Sequence, residues 1–447
     1  MTPALFQRPP TPKGLPVVGL LPEFRRNPAL FLQRMAKEYG DVVFLRVARQ
    51  KIYLLNHPDF VREVLVTEQH KFKKSRMLER AKVLLGEGLL TNEGASHRRQ
   101  RRLVQPAFHR DRLVGYGNTM IERACVARER WHRGDTVDVS QEMMRLTMDI
   151  VSRTLFSAQV EGEADEIGEA LGQVFGLFDV ILLPFSEYLE KLPLPSMLRF
   201  RTARKRLDET IYRLIAERRA SGEDKGDLLS MLLLAQDEDD AGGMSDTQVR
   251  DEVLTLFLAG HETTANALTW AWYLLSQNPE AEARLHAELD EVLAGRVPTV
   301  EDAGALRYAS GVVQESLRLY PPAWAIGRRA LEDVSIGGYT VPKGDIVLMS
   351  PYVMHRDARW FPEPERFKPE RWLTEDPARP KFAYFPFGGG ARVCIGERFA
   401  WMEGVLLLAV IAQKWKLSLV PGHAVEIRPQ ITLRPKNGMR MTLAERA

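Results

Sequence analysis

The residues of this chain with the clearest chemical potential form one segment near its end, Phe387-Gly388-Gly389-Gly390-Ala391-Arg392-Val393-Cys394-Ile395-Gly396. Three consecutive glycines let the backbone turn tightly and approach a flat ligand closely. The segment delivers Cys394 to the start of a predicted helix, where free backbone N–H groups and the helix dipole favour a thiolate over a thiol. Arg392 lies two residues earlier and can meet an anionic group of the same ligand. A lone cysteine is usually a small buried core residue. The pattern Phe-x-x-Gly-x-Arg-x-Cys-x-Gly, however, fixes five positions. At ordinary residue frequencies it would arise on the order of once in ten thousand chains of this length. The core reading therefore gives way to a ligand-binding one.

A second constellation is Ala259-Gly260-His261-Glu262-Thr263-Thr264. Glycine inside a helix costs up to about 1 kcal/mol against alanine, so Gly260 needs a reason, and room against a ligand face is one. The Thr263 hydroxyl can interrupt the local backbone bonding. A carboxylate beside it, Glu262, makes a relay for protons. Taken alone, the segment is equally well a polar face of an amphipathic helix, and His261 reads as structural or solvent-facing. Glu315 and Arg318 lie three apart and share a helix face. Downstream comes Phe361-Pro362-Glu363-Pro364-Glu365-Arg366-Phe367-Lys368-Pro369-Glu370-Arg371-Trp372. Further basic candidates are the run His97–Arg102, Arg328 and His355.

These residues must be positioned by a mostly helical chain. Val42–Val47 and Lys51–Leu55 read as an early strand pair, and helical periodicity dominates from Pro58 to Gln277. The acidic run Asp237–Asp240 reads as a solvated loop. A capping box at Ser245 and Gln248 opens an unusually long helix that continues to Gln277 and stops at Asn278–Pro279. A second helix is predicted from Ala305 to Tyr320, strands at Val334–Ile336 and Ile346–Met349, and a last helix from Cys394 to Trp415.

Composition narrows the class. The chain has 447 residues, 45% hydrophobic and 27% charged, with a net charge of +3. That is an ordinary globular balance with no charge signature for nucleic acid. No linker, repeat or low-complexity tract divides it, so residues 1–447 read as a single domain, with a proline-rich arm over 1–20. Two cysteines, Cys125 and Cys394, cannot build a disulfide framework, and Cys125 reads as core packing. The longest apolar runs, Val253–Ala259 and Val405–Ala412, are less than half of a membrane span, and no signal-peptide pattern opens the chain. The expected location is the cytoplasm.

The cysteine loop, the Ala-Gly-x-Glu-Thr-Thr stretch, the Glu-x-x-Arg pair and the Pro-Glu-Arg segment resemble, in order and across nearly the whole chain, the cytochrome P450 family. The resemblance implies a mainly α fold with small β-sheets (α+β) and a long central helix crossing a heme. It makes the Cys394 thiolate the axial ligand of heme b (iron protoporphyrin IX), a ligand whose electron donation favours O–O cleavage. Phe387, Gly388 and Gly396 would complete the loop, and Ala259 and Gly260 would meet the cofactor. Arg392, Arg101, Arg328 and His355 would pair with heme propionates. His97 stands where the family usually has tryptophan, and imidazole can donate the same kind of hydrogen bond. Glu262 and Thr263 would deliver the protons, and Glu315, Arg318 and Arg371 would form a buried structural triad.

The implied activity is a monooxygenase that inserts one atom of O2 into an apolar substrate by hydroxylation or epoxidation. A terpenoid, carotenoid, steroid-like or fatty-acyl molecule fits the expected pocket of Phe257, Ala323, Trp324, Ile326 and Ile431. The segment Leu319–Trp324 resembles bacterial carotenoid-hydroxylating members. No flavin or ferredoxin domain follows residue 447, so electrons from NAD(P)H are expected through a separate ferredoxin and ferredoxin reductase. The remaining arginines of the His97–Arg102 run would offer a basic patch to an acidic donor. The alternatives are a peroxide-driven peroxygenase and a non-catalytic heme sensor or carrier. An intact Glu262–Thr263 pair speaks against both.

Overall fold

The computed structural model describes residues 8–156, 195–236 and 242–446. The acidic run Asp237–Asp240 lies outside them. The architecture is helical with several small sheets. Its axis is the central helix, Asp246–Gln277, started by the predicted capping box: Ser245 accepts from the Gln248 N–H, and the Gln248 side chain accepts from the Ser245 N–H. The helix is buried on all sides from Val249 to Leu258 and from Thr264 to Trp272, which is why its sequence lacks a clean amphipathic stripe. It packs along the helix Val139–Phe156 and against the helix Arg307–Leu319.

The largest core cluster joins this helix to the cysteine helix, Glu397–Ala412. Cys125 is partly buried against that cluster. A five-stranded sheet runs in the order Val42–Val47, Gln50–Leu55, Ile346–Met349, Ile326–Ala330 and Phe72–Lys74. The proline-rich segment lies along its edge, with the Phe44 N–H donating to Pro10 O at 3.0 Å. A C-terminal hairpin pairs Ile427–Pro429 with Leu433–Pro435. Trp270 Nε1 donates to Leu433 O at 3.0 Å, and Leu433 N donates to Pro322 O at 3.0 Å. The hairpin is thereby fixed to both the central helix and the Pro321–Pro322 turn.

The last helix begins later than predicted. It starts at Glu397, with Gly396 as N-cap, and Cys394 precedes it in irregular backbone. The glycine-rich approach dominates here over the helical pattern that follows.

Candidate functional site

Two glycines set the cysteine loop. Gly388 and Gly390 have φ of +75° and +66°, and a Cβ on Gly390 would fall 1.8 Å from Leu65 O. Only glycine permits that backbone at that approach. The loop closes when Cys394 N donates to Phe387 O at 3.0 Å. The Phe387 ring packs on Trp401 at 5.4 Å. The Cys394 side chain is accessible although protein surrounds it almost completely, so its thiol faces an interior cleft and not the outer surface. Burial pushes the thiol up to about 11, and the Gly396 N–H and Arg101 only partly offset this. A cation at the sulfur would hold the charge that burial disfavours.

Around the loop gathers an excess of positive charge. Arg101 Nη1 donates to Val393 O at 2.8 Å. Arg392 is tied to Glu93, and its Nη1 is buried with no partner among the described residues. Arg328 is deeply enclosed, lowered to about 10 by burial and by Arg392. Lys74, which sequence reasoning missed, joins them: it is 6% exposed, donates through Nζ to Leu89 O at 3.2 Å, and is lowered to about 7 by burial and Arg392. His97 is buried and depressed to about 3 by desolvation, Arg392 and Lys74. It is thus a neutral imidazole with a proton to donate. Within this group Glu93 is the counter-charge, accepting the Lys74 N–H at 2.8 Å as well as the Arg392 guanidinium. Buried cations demand anions. A ligand carrying two carboxylates answers that demand.

On the central helix, Ala259, Gly260 and Thr263 interrupt the buried stretch, being exposed or half-buried deep in the fold. Thr263 Oγ1 turns back to Ala259 O at 2.7 Å. Gly260 also meets a protein neighbour: a Cβ there would lie 2.8 Å from Val151 Cγ2, so the missing side chain admits the adjacent helix. His261 takes the structural role, buried with its Nδ1 2.8 Å from Phe257 O. Glu262 is buried and reaches Thr432 and Arg434 of the C-terminal hairpin.

The scaffold beneath the loop is an ionic knot. Glu315 accepts from Arg318 Nη2 at 2.8 Å and from Arg371 Nε at 3.0 Å, and also from Trp372 Nε1 at 2.8 Å. Arg318 spends its remaining donors on the carbonyls of His355, Pro364 and Arg366. His355 belongs to this knot and not to the propionate group. It is fully buried, its Nε2 accepts the Phe385 N–H at 3.0 Å, and burial beside Arg318 and Arg356 keeps it neutral. Its role is to hold the stem that leads into the cysteine loop.

The expected pocket also needs correcting. Phe257 is 0% exposed and belongs to the core. Trp324 is buried, with Nε1 donating to Gln430 O at 2.8 Å, and so anchors the hairpin. Ala323, Ile326 and Ile431 keep accessible surface.

Among the described residues no three His, Cys, Asp or Glu side chains converge on a metal position. The arrangement at Cys394 is a single cysteine sulfur, a cluster of cations and a small-residue notch. It suits a metal whose other positions come from a planar, dianionic macrocycle. The comparisons agree. The cytochrome P450 family model matches residues 9–441. The chain is 45% identical to cyclooctatin synthase of Streptomyces melanosporofaciens, covering 94% of this chain and 92% of that protein. It is 40% identical to cyclooctat-9-en-7-ol 5-monooxygenase of the same organism, covering 94% of each. Pentalenene oxygenase of Streptomyces avermitilis is 37% identical, over 94% of this chain and 92% of that protein. No helix among the described residues is long and apolar enough to cross a membrane. The chain belongs to the cytochrome P450 family and is a heme-thiolate monooxygenase that uses heme b.

Proposed function

We propose that this monooxygenase oxidises a polycyclic terpenoid, receives electrons one at a time from a ferredoxin and its NAD(P)H-dependent reductase, and works in the cytoplasm. The observation that carries the substrate class is the concordance of three relatives: the names of two contain cyclooctat- and that of the third pentalenene. The accessible pocket candidates Ala323, Ile326 and Ile431 offer no charge to a polar substrate. The electron-donor reading is supported by Arg98 and Arg102, exposed on the helix whose Arg101 bonds the loop next to Cys394. The cytoplasmic reading is supported by the reducing conditions that keep a thiol ligand available.

Bound heme supplies the reductive activation of dioxygen. Cys394 would ligate its iron. Arg101, Arg328, Arg392 and Lys74 would pair with its propionates, and His97 would donate a hydrogen bond. Glu262 takes up protons and passes them toward Thr263, whose hydroxyl already sits at the accessible notch of the central helix.

A Soret titration of the ferric protein tests the substrate class. Cyclooctat-9-en-7-ol, pentalenene and other cyclic terpenes are expected to shift the band toward the high-spin form. A shift with fatty acids or steroids but with no terpenoid would overturn the reading.

A further inference from the structure

Glu262 is buried, yet its carboxyl is not held by its own helix. Thr432 donates its hydroxyl to Oε1. Arg434 Nε donates to the same oxygen at 2.8 Å, and Nη2 stands 2.6 Å from it. Asn266, one turn further along the helix, donates to Thr432 Oγ1 at 3.1 Å. All of these bonds to the carboxyl fall on Oε1. Thr432 and Arg434 flank Leu433 on the C-terminal hairpin, and Thr432 directly follows Ile431, a pocket candidate. Arg434 keeps 36% of its side chain accessible while Glu262 keeps 4%. The ion pair is therefore where an otherwise buried acid meets water.

We propose that Arg434 and Thr432 are positioning residues for Glu262, so that the hairpin forming one wall of the substrate pocket also holds the acid that passes protons inward. The inference rests on the relay reading of Glu262. A guanidinium stays protonated and is no proton source. Its part is to fix the carboxylate by charge-assisted bonds at the position water reaches. The carboxylate takes one proton from the water side and releases one toward Thr263, which regenerates the carboxylate and moves no electrons. Inward transfer requires Oε1 to loosen from Arg434.

The test is oxygen uptake by the holoenzyme with NADPH, ferredoxin and ferredoxin reductase, in H2O and D2O, with and without cyclooctat-9-en-7-ol. Arg434→Leu is expected to lower the maximal rate roughly ten- to hundred-fold, as expected for a misplaced catalytic group. It should enlarge the solvent isotope effect, leave the spectral binding constant unchanged, and be partly rescued by Arg434→Lys. Thr432→Val, which loses only the hydroxyl, keeps the question open to measurement should Arg434→Leu fold poorly. A wild-type rate and isotope effect in both variants would overturn the proposal, and so would a loss that tracks heme content alone. Glu262→Gln separates the two readings. An unchanged rate there sinks the relay itself, whereas a slow Glu262→Gln beside a normal Arg434→Leu sinks only the positioning role.

Discussion

Lys74 stands opposite Arg328 across the antiparallel pairing of Phe72–Lys74 with Ile326–Ala330. Like charges directly opposed on a sheet repel, and here both are buried. The carbonyls of Leu89 and Leu90 accept from the Lys74 ammonium, and a pair of propionates would offset the charge that remains. Hydrogen bonds to charged groups contribute about 1.5–3 kcal/mol each. Lys74→Met is therefore expected to speed heme transfer to apomyoglobin by roughly ten-fold or more. An unchanged transfer rate would remove Lys74 from the cofactor's partners.

Lys74 also shows where the sequence was silent. Its neighbours Phe72, Lys73 and Ser75 carry no motif, and its importance arises only when a strand pairs it with a residue 254 positions away. Glu93 and Arg434 were invisible for the same reason: each acts through a contact that no local pattern encodes. Cys394, Arg392 and Gly390 were legible because their chemistry is packed into ten consecutive residues, and the capping box at Ser245 because it is local by construction. His355 misled because a histidine beside an arginine looks like a charge available to a propionate, whereas burial makes it a neutral acceptor. Phe257 misled because a central helix with apolar residues on every face does not reveal which face lines a cavity.

The Glu315 knot carries the loop's scaffold. Its carboxylate and the Arg318 guanidinium are both 0% exposed, and removing one partner of such a pair costs about 3–5 kcal/mol because the other charge is stranded. Arg318→Leu is expected to abolish recovery of heme-loaded protein, as read by the Soret to 280 nm ratio. Arg371→Lys keeps a cation at the edge of the knot and should be milder. Equal Soret ratios for wild type and Arg318→Leu would show that the knot is dispensable.

Glu403 is another fully buried acid. Burial raises its carboxyl to about 8 from 4.5, and Thr264 only partly offsets this. The folded protein thus binds a proton that the unfolded chain releases above about pH 4.5. Its contribution to stability is fully present below that value and is lost as pH rises through about 8. Glu403→Gln, neutral at every pH, should flatten the decline in urea stability between pH 5 and 8 and be the more stable protein at pH 8. The difference is on the order of a few kcal/mol. Parallel stability curves would mean that Glu403 is already ionised in the folded state.

Gly260 offers the sharpest separation of packing from chemistry. It lies inside the Ala-Gly-x-Glu-Thr-Thr stretch, so loss of function in Gly260→Ala invites a cofactor explanation. The geometry gives another: the new Cβ would lie 2.8 Å from Val151 Cγ2, closer than two carbons can approach unless the Val151 side chain or its helix shifts. Overpacking of this kind costs about 1–3 kcal/mol. If helix contact is the constraint, Val151→Ala should restore the thermal stability and turnover lost in Gly260→Ala, and the two effects should be strongly non-additive in a double-mutant cycle. If the glycine is needed against the cofactor, trimming Val151 restores neither, and the Soret band of the single and double variants stays equally perturbed.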